Sequence, residues 1–143
     1  TAQSAQTLLD LTPKVAMLSF STAGSAGHPQ VDKVVQATAR LKKEMPSLKV
    51  IGEVQFDAAF MPDIRQMKMP NASFKEAANI YIFPDLASGN IGYKIAERIG
   101  GAQVVGPILQ GLRRPLNDLS RGASVDSIVD TIALTCLQAE QVT

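Results

Sequence analysis

The residues with the clearest chemical potential form a short turn near the carboxyl end of the chain. Asn117 leads into Ser120, Arg121 and Gly122. Backbone amides in a turn ahead of a helix can surround an anion, and an arginine guanidinium can hold phosphate through two parallel hydrogen bonds. The turn is therefore a candidate site for a phosphorylated ligand. The same residues also fit a plain helix start with its N-cap at Ser124 and a solvated arginine.

A second loop carries small and polar residues directly after an apolar segment. Residues 19–27 include Ser21, Gly24 and Ser25, whose hydroxyls and backbone could hold a phosphate or the polar part of a cofactor. The loop lacks the Gly-Lys-Ser/Thr of a P-loop and the Gly-x-Gly-x-x-Gly of a dinucleotide site. An ordinary turn that starts a helix fits this loop equally well.

A third polar segment opens a predicted helix. It contains Asn90, Tyr93 and Lys94, and the helix continues to Arg98. Lys94 and Arg98 are four residues apart and therefore share one helix face. A basic face beside a strand end suits a ligand with several phosphates, and an ordinary solvated face is the alternative.

The other reactive residue types stand alone in the sequence. His28 is the single histidine, has no partner at metal or triad spacing, and is expected at the surface. Cys136 lies on the apolar stripe of the last predicted helix and is expected in the core rather than as a nucleophile. Asp57 and Asp63 have no spacing that requires a paired-carboxylate mechanism. Because no metal-ligand spacing is present, we expect no metal site.

These candidates are positioned by segments that alternate between strand and helix periodicity. The predicted strands are residues 14–20, 48–54, 78–83 and 104–109, and the predicted helices are residues 2–11, 31–45, 58–67 and 91–99 with a last helix from Val125 onward. Residues 85–89 are predicted to form a loop. The alternation predicts an α/β domain with a largely parallel sheet. In such sheets ligands bind beyond the carboxyl ends of the strands, where the polar loops fall.

The overall composition excludes several classes of function. With 45% apolar and 19% charged residues, the chain is an ordinary globular sequence rather than a disordered one. Its 14 basic and 13 acidic residues nearly cancel and only 5% of residues are aromatic, so we expect no nucleic-acid partner. No apolar run reaches the roughly 18 residues of a membrane span and no signal peptide is visible, so we expect no membrane partner. A single cysteine fits a cytoplasmic location.

Taken in order, the loops resemble five motifs of the phosphotransacetylase (phosphate acetyltransferase) family. The matching segments are residues 18–26, 55–59, 83–94, 106–111 and 117–122. The resemblance extends over essentially the whole chain, which is similar to the carboxyl-terminal half of family members. Because the chain also begins at Thr1 inside a predicted helix, we expect it to be a piece of a longer protein.

The resemblance implies a fold and a division of the chain. The implied fold resembles that of the isocitrate/isopropylmalate dehydrogenases, in which two α/β domains surround a cleft. Residues 1–109 would form part of the second domain. Residues 110–143 would return to complete a first domain that is mostly absent here. The resemblance also implies that the full-length protein is a homodimer.

The resemblance further implies a reaction, in which the thiolate of coenzyme A attacks acetyl phosphate directly in a ternary complex. Coenzyme A is then a substrate, phosphate is released, and no cofactor is tightly bound. Arg121 would hold the phosphoryl group, Ser120 would donate hydrogen bonds, and Arg98 would bind substrate. The remaining predicted substrate contacts are Ser21, Gly24, Ser25, Asn90, Tyr93 and Asn117. Fixed cations suit this reaction, because charge builds on the carbonyl oxygen and on the departing phosphate.

The last helix departs from the family pattern at one position. Family members usually carry an acid just before the Ile-Val of this helix, and that acid is thought to take the thiol proton. This chain has Ser127 there, with Asp126 one residue earlier and Asp130 three residues later. Successive helix positions differ by about 100° in direction, so Asp126 does not automatically inherit the role. The family acid also stands where a capping-box acid would stand. Our candidate base is Asp126, with water as an alternative.

Two other functions stay open at this level. The first is a non-catalytic module that senses acetyl-CoA, similar to the tail of some malic enzymes, and Ser127 favours it. The second is an enzyme that resembles phosphate butyryltransferase, because the sequence does not fix the length of the acyl chain.

Overall fold

A parallel sheet of three strands lies at the centre of the fold in the computed structural model, which describes residues 1–140. Strand β1 (Lys14–Leu18) lies between β2 (Lys49–Val54) and β3 (Ile80–Ile82), and both pairings are parallel. The predicted α/β class with a parallel sheet is therefore confirmed. The predicted fourth strand, residues 104–109, is wrong, because this stretch is irregular backbone. Gly106 has a φ of +118°, and Pro107 has no amide hydrogen to donate to a ladder.

Helices precede and follow the strands along the chain. Their bounds are α1 (Ala2–Leu9), α2 (Pro29–Glu44), α3 (Phe56–Phe60), α4 (Pro62–Lys68), α5 (Leu86–Arg98) and α6 (Val125–Glu140). The single helix predicted over residues 58–67 is wrong, because the chain forms two helices there. Pro62 is tolerated at the first turn of α4, where no amide hydrogen is needed, whereas it could not continue α3. Met61 between them has extended backbone angles.

Helix α5 begins five residues earlier than the sequence predicts, so the loop predicted over residues 85–89 is also wrong. Asp85 is the N-cap, and its carboxylate accepts the Ser88 amide at 2.8 Å. Gly92 packs against the ring of Phe83, where an added Cβ would lie 2.9 Å from the nearest ring carbon. Serine and glycine are common in turns, which is why the sequence predicts a loop here. In the structure Ser88 donates to the N-cap Asp85, and Gly92 leaves room for the ring of Phe83.

The Asp85 cap makes the start of α5 sensitive to acid. Hydrogen bonds from the amide and the hydroxyl of Ser88 lower the pKa of Asp85 below its ordinary value of 3.8. Since the folded-state pKa is the lower one, the cap stabilises the helix fully above the unfolded-state pKa. That stabilisation is lost as the pH falls through the folded-state pKa.

We expect amide hydrogen exchange in the first turn of α5 to speed up, relative to an unstructured peptide, when the pH is lowered from about 5 to about 3. The variant Asp85→Asn keeps an acceptor oxygen but does not titrate, so this acid response should disappear in it. An equal response in both proteins would contradict the assignment of the cap.

The core lies on both faces of the sheet, as the alternation of strand residues requires. On one face Ala16 and Ile51 pack with helix α3, and on the other Val15 and Val50 pack with α1 and α2. Gly52 lets α2 approach the sheet closely. It has a φ of +150°, and an added Cβ would lie 2.9 Å from the hydroxyl oxygen of Thr38 on α2 and 2.6 Å from the Cβ of Met17 on β1. The cores on the two faces position the carboxyl ends of all three strands.

A buried arginine ties the segments behind this core together. Arg65 on α4 is only 1% exposed, and its guanidinium donates solely to backbone carbonyl oxygens. Those carbonyls belong to Ala58, Ala59, Lys75 and Glu76. Burial lowers the pKa of Arg65 below its ordinary value. The guanidinium therefore joins α3 and α4 to the irregular segment that leads into β3.

Helices α5 and α6 leave apolar faces uncovered among residues 1–140. No residue of α5 is buried, and Thr131 is the one buried residue of the described part of α6. The large apolar side chains that are exposed on these helices are Leu86, Ile91, Tyr93, Ile95, Val125, Val129, Ile132 and Leu137, and the exposed Ile99 follows directly after α5. The expectation that Cys136 lies in the core is wrong, because Cys136 is exposed. None of the helices described has the length and apolar character to cross a membrane.

Candidate active site

The loop that follows β1 has no free backbone amide between Ser21 and Ala26. Three of these six amides donate to serine hydroxyls: Ser21 to Ser19 at 3.2 Å, Thr22 to Ser25 at 3.0 Å and Ala26 to Ser21 at 3.2 Å. Two donate to Glu53, Ala23 to its carbonyl at 3.3 Å and Gly24 to its carboxylate at 2.6 Å. The Ser25 amide donates to the Thr22 carbonyl at 3.1 Å. Within residues 21–26 no backbone amide is therefore left free to cradle a phosphate. What the stretch can offer a ligand is side chains.

The two predicted serines of this loop have different surroundings. Ser21 is fully buried and donates its hydroxyl to Glu53 at 3.0 Å. Ser25 is exposed. Gly24 between them has a φ of +81°, and nothing lies within 4 Å of the position of an added Cβ. A ligand can therefore approach Gly24 and Ser25 but cannot approach Ser21.

The loops after all three strands meet at the carboxyl edge of the sheet. The Thr22 hydroxyl donates to Gln55 Oε1 at 3.1 Å, which links the loop after β1 to the residue after β2. Lys68 donates to the same Gln55 oxygen at 3.0 Å. The Lys33 ammonium donates to the Pro84 carbonyl at 2.6 Å, which fastens α2 to the loop after β3. This edge is where open parallel sheets bind ligands.

Lys68 also pairs with Asp57 at 3.0 Å. The hydrogen bond from Lys68 lowers the pKa of Asp57 below its ordinary value, and the Ala58 amide adds to this effect. Asp57 therefore stays ionised at the edge of the sheet, and it neutralises the nearby ammonium of Lys68 rather than pairing with a second carboxylate.

A second cluster contains the two predicted arginines and the turn ahead of α6. One guanidinium nitrogen of Arg98, at the end of α5, lies 4.0 Å from the position that a Cβ on Gly122 would occupy. Ser120 accepts the Gly122 amide at 3.4 Å, and its carbonyl accepts the Ala123 amide at 3.0 Å. Arg98 and Arg121 are both exposed. The structure thus brings Arg98 to the turn that carries Ser120 and Arg121.

The predicted N-cap of the last helix is confirmed, and Ser127 is part of it. The Ser124 hydroxyl accepts the Ser127 amide at 3.2 Å. The Ser127 hydroxyl donates to the Val104 carbonyl at 2.7 Å, so it anchors α6 to residues 102–109. Asp126 is exposed, and no hydrogen bond or ion pair engages its carboxylate in the described part of the chain. Asp130 instead accepts a hydrogen bond from Gln103 at 2.8 Å.

Asn117 is occupied as a brace between the irregular segment and α6. Its side-chain oxygen accepts the Leu109 amide at 2.8 Å. Its side-chain nitrogen donates to Thr135 at 2.8 Å and to Gln138 at 2.6 Å. A side-chain amide has two donors and one acceptor oxygen, so these partners use most of its capacity. The position favours a role in holding the turn at residues 117–122 over direct contact with substrate.

Helix α5 runs between the two clusters. Asn90 and Tyr93 are exposed on it, and the Lys94 ammonium lies 5.1 Å from the centroid of the Tyr93 ring. Asn90 and Arg98 are about 12 Å apart along the helix axis at 1.5 Å per residue. Among the described residues, no hydrogen bond or ion pair joins the edge of the sheet to the turn that contains Arg121. The helix is therefore the physical connection between the two halves of the predicted site.

His28 is exposed, as expected, and serves as the N-cap of α2. It accepts the Gln30 amide at 3.2 Å, and its ring meets Phe20 edge-on at 5.7 Å. No group of His, Cys, Asp and Glu within residues 1–140 could hold a metal ion. The sequence reasoning missed Glu53 and Lys68. Glu53 could have been predicted, because a glutamate inside a strand that is buried on both faces needs polar partners. Lys68 could not, because its partners depend on how α4 packs.

Similarity to known proteins identifies the family of this chain. A family model described as phosphate acetyl/butaryl transferase matches residues 1–136. The chain belongs to this family of acyltransferases. A phosphate acetyltransferase of Thermoanaerobacterium thermosaccharolyticum is 50% identical over 139 residues, which cover 97% of this chain and 42% of that protein. One of Corynebacterium glutamicum is 53% identical over 127 residues, which cover 89% of this chain and 39% of that protein.

Solved structures of the phosphate acetyl/butaryl transferase family share the fold. A phosphotransacetylase from Streptococcus pyogenes has a TM-score of 0.91 and 51% identity, with 99% of this chain and 43% of that chain covered. A branched-chain phosphotransacylase from Enterococcus faecalis has a TM-score of 0.74 and 25% identity, with 95% and 50% covered. The chain spans about two fifths of the length of the curated relatives described above.

Proposed function

We propose that the full-length protein is a phosphate acetyltransferase, which moves an acetyl group reversibly between acetyl phosphate and coenzyme A. The observation that carries this proposal is the approach of Arg98 to the turn of Ser120 and Arg121. A turn that carries a serine and an arginine, with a second arginine beside it, suits a phosphoryl group. The relatives at about 50% identity, named phosphate acetyltransferase, support acetyl as the acyl group.

In the proposed reaction the sulfur of the coenzyme A thiolate attacks the carbonyl carbon of acetyl phosphate. A carbon–sulfur bond forms, the bond from the carbonyl carbon to the bridging phosphate oxygen breaks, and phosphate leaves with that electron pair. Arg121 holds the phosphoryl oxygens, Arg98 adds a second positive charge, and Ser120 donates a hydrogen bond. These groups lower the barrier because negative charge grows on the carbonyl oxygen and on the departing phosphate.

Only the thiolate is nucleophilic, so a base must take the thiol proton. We propose Asp126 for this role, because its carboxylate is exposed and unengaged close to the turn. Ser127, which replaces the usual family acid, already donates to the Val104 carbonyl and is not suited to the role. Removal of the Asp126 carboxylate is therefore expected to slow the step that forms the thiolate.

The same proposal includes the division of the chain into domains, the cellular location of the protein and its partners. Residues 1–109 form part of a second domain, and residues 110–143 return to complete a first domain. Gln110 accepts the Thr1 hydroxyl at 3.2 Å and donates to the Ser4 hydroxyl at 3.1 Å, and both bonds support a return of the chain at this point. By the family resemblance, we also propose a cytoplasmic homodimer with no tightly bound cofactor and with no nucleic-acid or membrane partner.

The test is an assay of the full-length protein for release of phosphate from acetyl phosphate that depends on coenzyme A. We expect turnover with acetyl phosphate to exceed turnover with butyryl phosphate and with a branched-chain acyl phosphate. A preference for either of the longer donors would replace acetyl as the substrate. Absence of turnover with all three donors would refute the proposed enzyme.

The isolated 143-residue chain should be inactive in the same assay. The apolar faces of α5 and α6 are uncovered among residues 1–140. On the proposed division of the chain, the surface that faces them and completes the cleft belongs to the rest of the full-length protein. Phosphate release is therefore expected to stay at the background rate without protein. Turnover by the isolated chain would contradict this prediction and would place the whole site within these residues.

A non-catalytic module that senses acetyl-CoA is the second candidate, and Ser127 is the observation that favours it. In that case the full-length protein would bind acetyl-CoA without releasing phosphate from acetyl phosphate. Isothermal titration with acetyl-CoA, run beside the turnover assay, separates the two functions.

A further inference from the structure

Glu53 is a buried carboxylate that the proposed chemistry does not use. It lies near the end of β2, is 6% exposed, and has no ion-pair partner within residues 1–140. One of its oxygens, Oε1, accepts the Ser21 hydroxyl at 3.0 Å and the Gly24 amide at 2.6 Å. A buried carboxylate is costly unless hydrogen bonds satisfy it. Glu53 is satisfied by the loop after β1, so that loop is fixed to β2.

These contacts also fix the directions of the hydroxyl protons. Ser21 has one hydroxyl proton, which it gives to Glu53, so the same oxygen can only accept from its other neighbours. It accepts the Ala26 amide at 3.2 Å and lies 3.4 Å from Ser25 Oγ. Ser25 must therefore be the donor in that long contact, or it donates its proton outward.

Ser25 can donate its hydroxyl proton outward to a ligand, because its side chain is exposed. Its oxygen accepts the Thr22 amide at 3.0 Å, and an accepted hydrogen bond strengthens the bond that a hydroxyl donates. The contact to Ser21 is long at 3.4 Å, so a better acceptor can displace it. Since the amides of this stretch are all engaged, the Ser25 proton is the donor that residues 21–26 retain for a ligand.

We propose that Ser25 donates a hydrogen bond to a phosphate oxygen of a substrate, and that Glu53 is a positioning residue which directs Ser25 through Ser21. This inference rests on the proposed acyl transfer. The ligand chemistry is a phosphate oxygen, which both acetyl phosphate and coenzyme A carry.

The experiment measures kcat and both KM values of the full-length protein for the variants Ser25→Ala, Glu53→Ala and Glu53→Gln and for the double variant Ser25→Ala with Glu53→Ala. Loss of one hydrogen bond predicts that Ser25→Ala raises one KM by about 3- to 10-fold, with kcat changed by less than about 2-fold. A rise in the KM of acetyl phosphate identifies that ligand, and a rise in the KM of coenzyme A identifies the other.

If Glu53 acts through Ser25, Glu53→Ala should raise the same KM, and the double variant should be no worse than the poorer single variant. Glu53→Gln keeps an acceptor oxygen for Ser21 and Gly24, so it should restore the KM to within about 2-fold. Ser73→Ala is the matched control, because the Ser73 hydroxyl binds the Val50 carbonyl on another part of the sheet. It should leave both KM values unchanged.

Two results would overturn the inference. One is an unchanged KM for both substrates in Ser25→Ala, a variant at an exposed position that should fold normally. The other is a double variant whose loss equals the product of the two single losses. Either result counts against the inference only when the unaltered full-length protein releases phosphate from acetyl phosphate. An inactive parent protein refutes the proposed function itself, so the two failures are distinguishable.

Discussion

Replacing Arg121 with alanine in the full-length protein should lower the rate of phosphate release from acetyl phosphate by about 10²- to 10³-fold, the loss typical of removing one group that stabilises charge in the transition state. Arg121 is exposed in the turn ahead of α6, and Arg98 approaches the same turn. Arg121 should meet the charge that grows on the departing phosphate, so the loss should appear in kcat as well as in kcat/KM.

Two comparison variants make the Arg121 result specific. Arg121→Lys keeps the charge but loses the planar pair of donors, so it should recover only part of the activity. Arg40→Ala removes an arginine that pairs with Glu44 on the exposed surface of α2 and should leave the rate unchanged. Activity of Arg121→Ala within about 5-fold of the parent would contradict the assigned role, because a single transition-state contact contributes more than that.

Replacing Arg65 with alanine should lower the free energy of unfolding by about 3–5 kcal/mol, among the largest losses for a single substitution. The guanidinium is buried and donates to four carbonyl oxygens in α3 and in the segment before β3. Alanine would remove the guanidinium donor from all four carbonyls, of which that of Ala59 keeps the Ala78 amide as a donor. It would also leave a cavity beside the ring of Phe74, whose centroid lies 5.1 Å from the guanidinium carbon.

The measurement is urea unfolding of the full-length protein, followed by amide hydrogen exchange in residues 69–79. Exchange there should accelerate more than exchange in β1, because the lost bonds hold this segment. Arg65→Lys keeps the charge but cannot reach four carbonyls, so it should be nearly as unstable as alanine. Arg40→Ala, an exposed arginine with one carboxylate partner, should cost less than about 1 kcal/mol. Equal losses for Arg65→Ala and Arg40→Ala would refute the assigned role of Arg65.

The sheet was predictable because its strands are short apolar runs, which sequence periodicity detects directly. Residues 104–109 are equally apolar, but Gly106 and Pro107 prevent a ladder there. The start of α5 was missed because Ser88 and Gly89 are common in turns. Composition alone does not show that Asp85 would cap the helix or that Phe83 would pack on its glycines.

The candidate site was predictable only in part. The approach of Arg98 to the turn of Ser120 and Arg121 agrees with the family resemblance and with the position of α5. The brace formed by Asn117 was not predictable, because its partners lie on an irregular segment and on α6. The partners of Arg65 are carbonyl oxygens, which every residue carries and which therefore leave no mark in a sequence.

The uncovered faces of α5 and α6 also have a consequence for how this sequence can vary. Ile95 is 52% exposed and Val125 is 75% exposed. Each has apolar neighbours on its own helix face, Ile91 and Ile99 beside Ile95 and Val129 and Ile132 beside Val125. A polar substitution at either position costs little within residues 1–140, but it would disturb whatever surface covers these faces. Across the family, substitutions at such positions should therefore be accompanied by substitutions in the surface that covers these faces. A chimera that joins this segment to a distant homologue should then need matching substitutions in both of its parts.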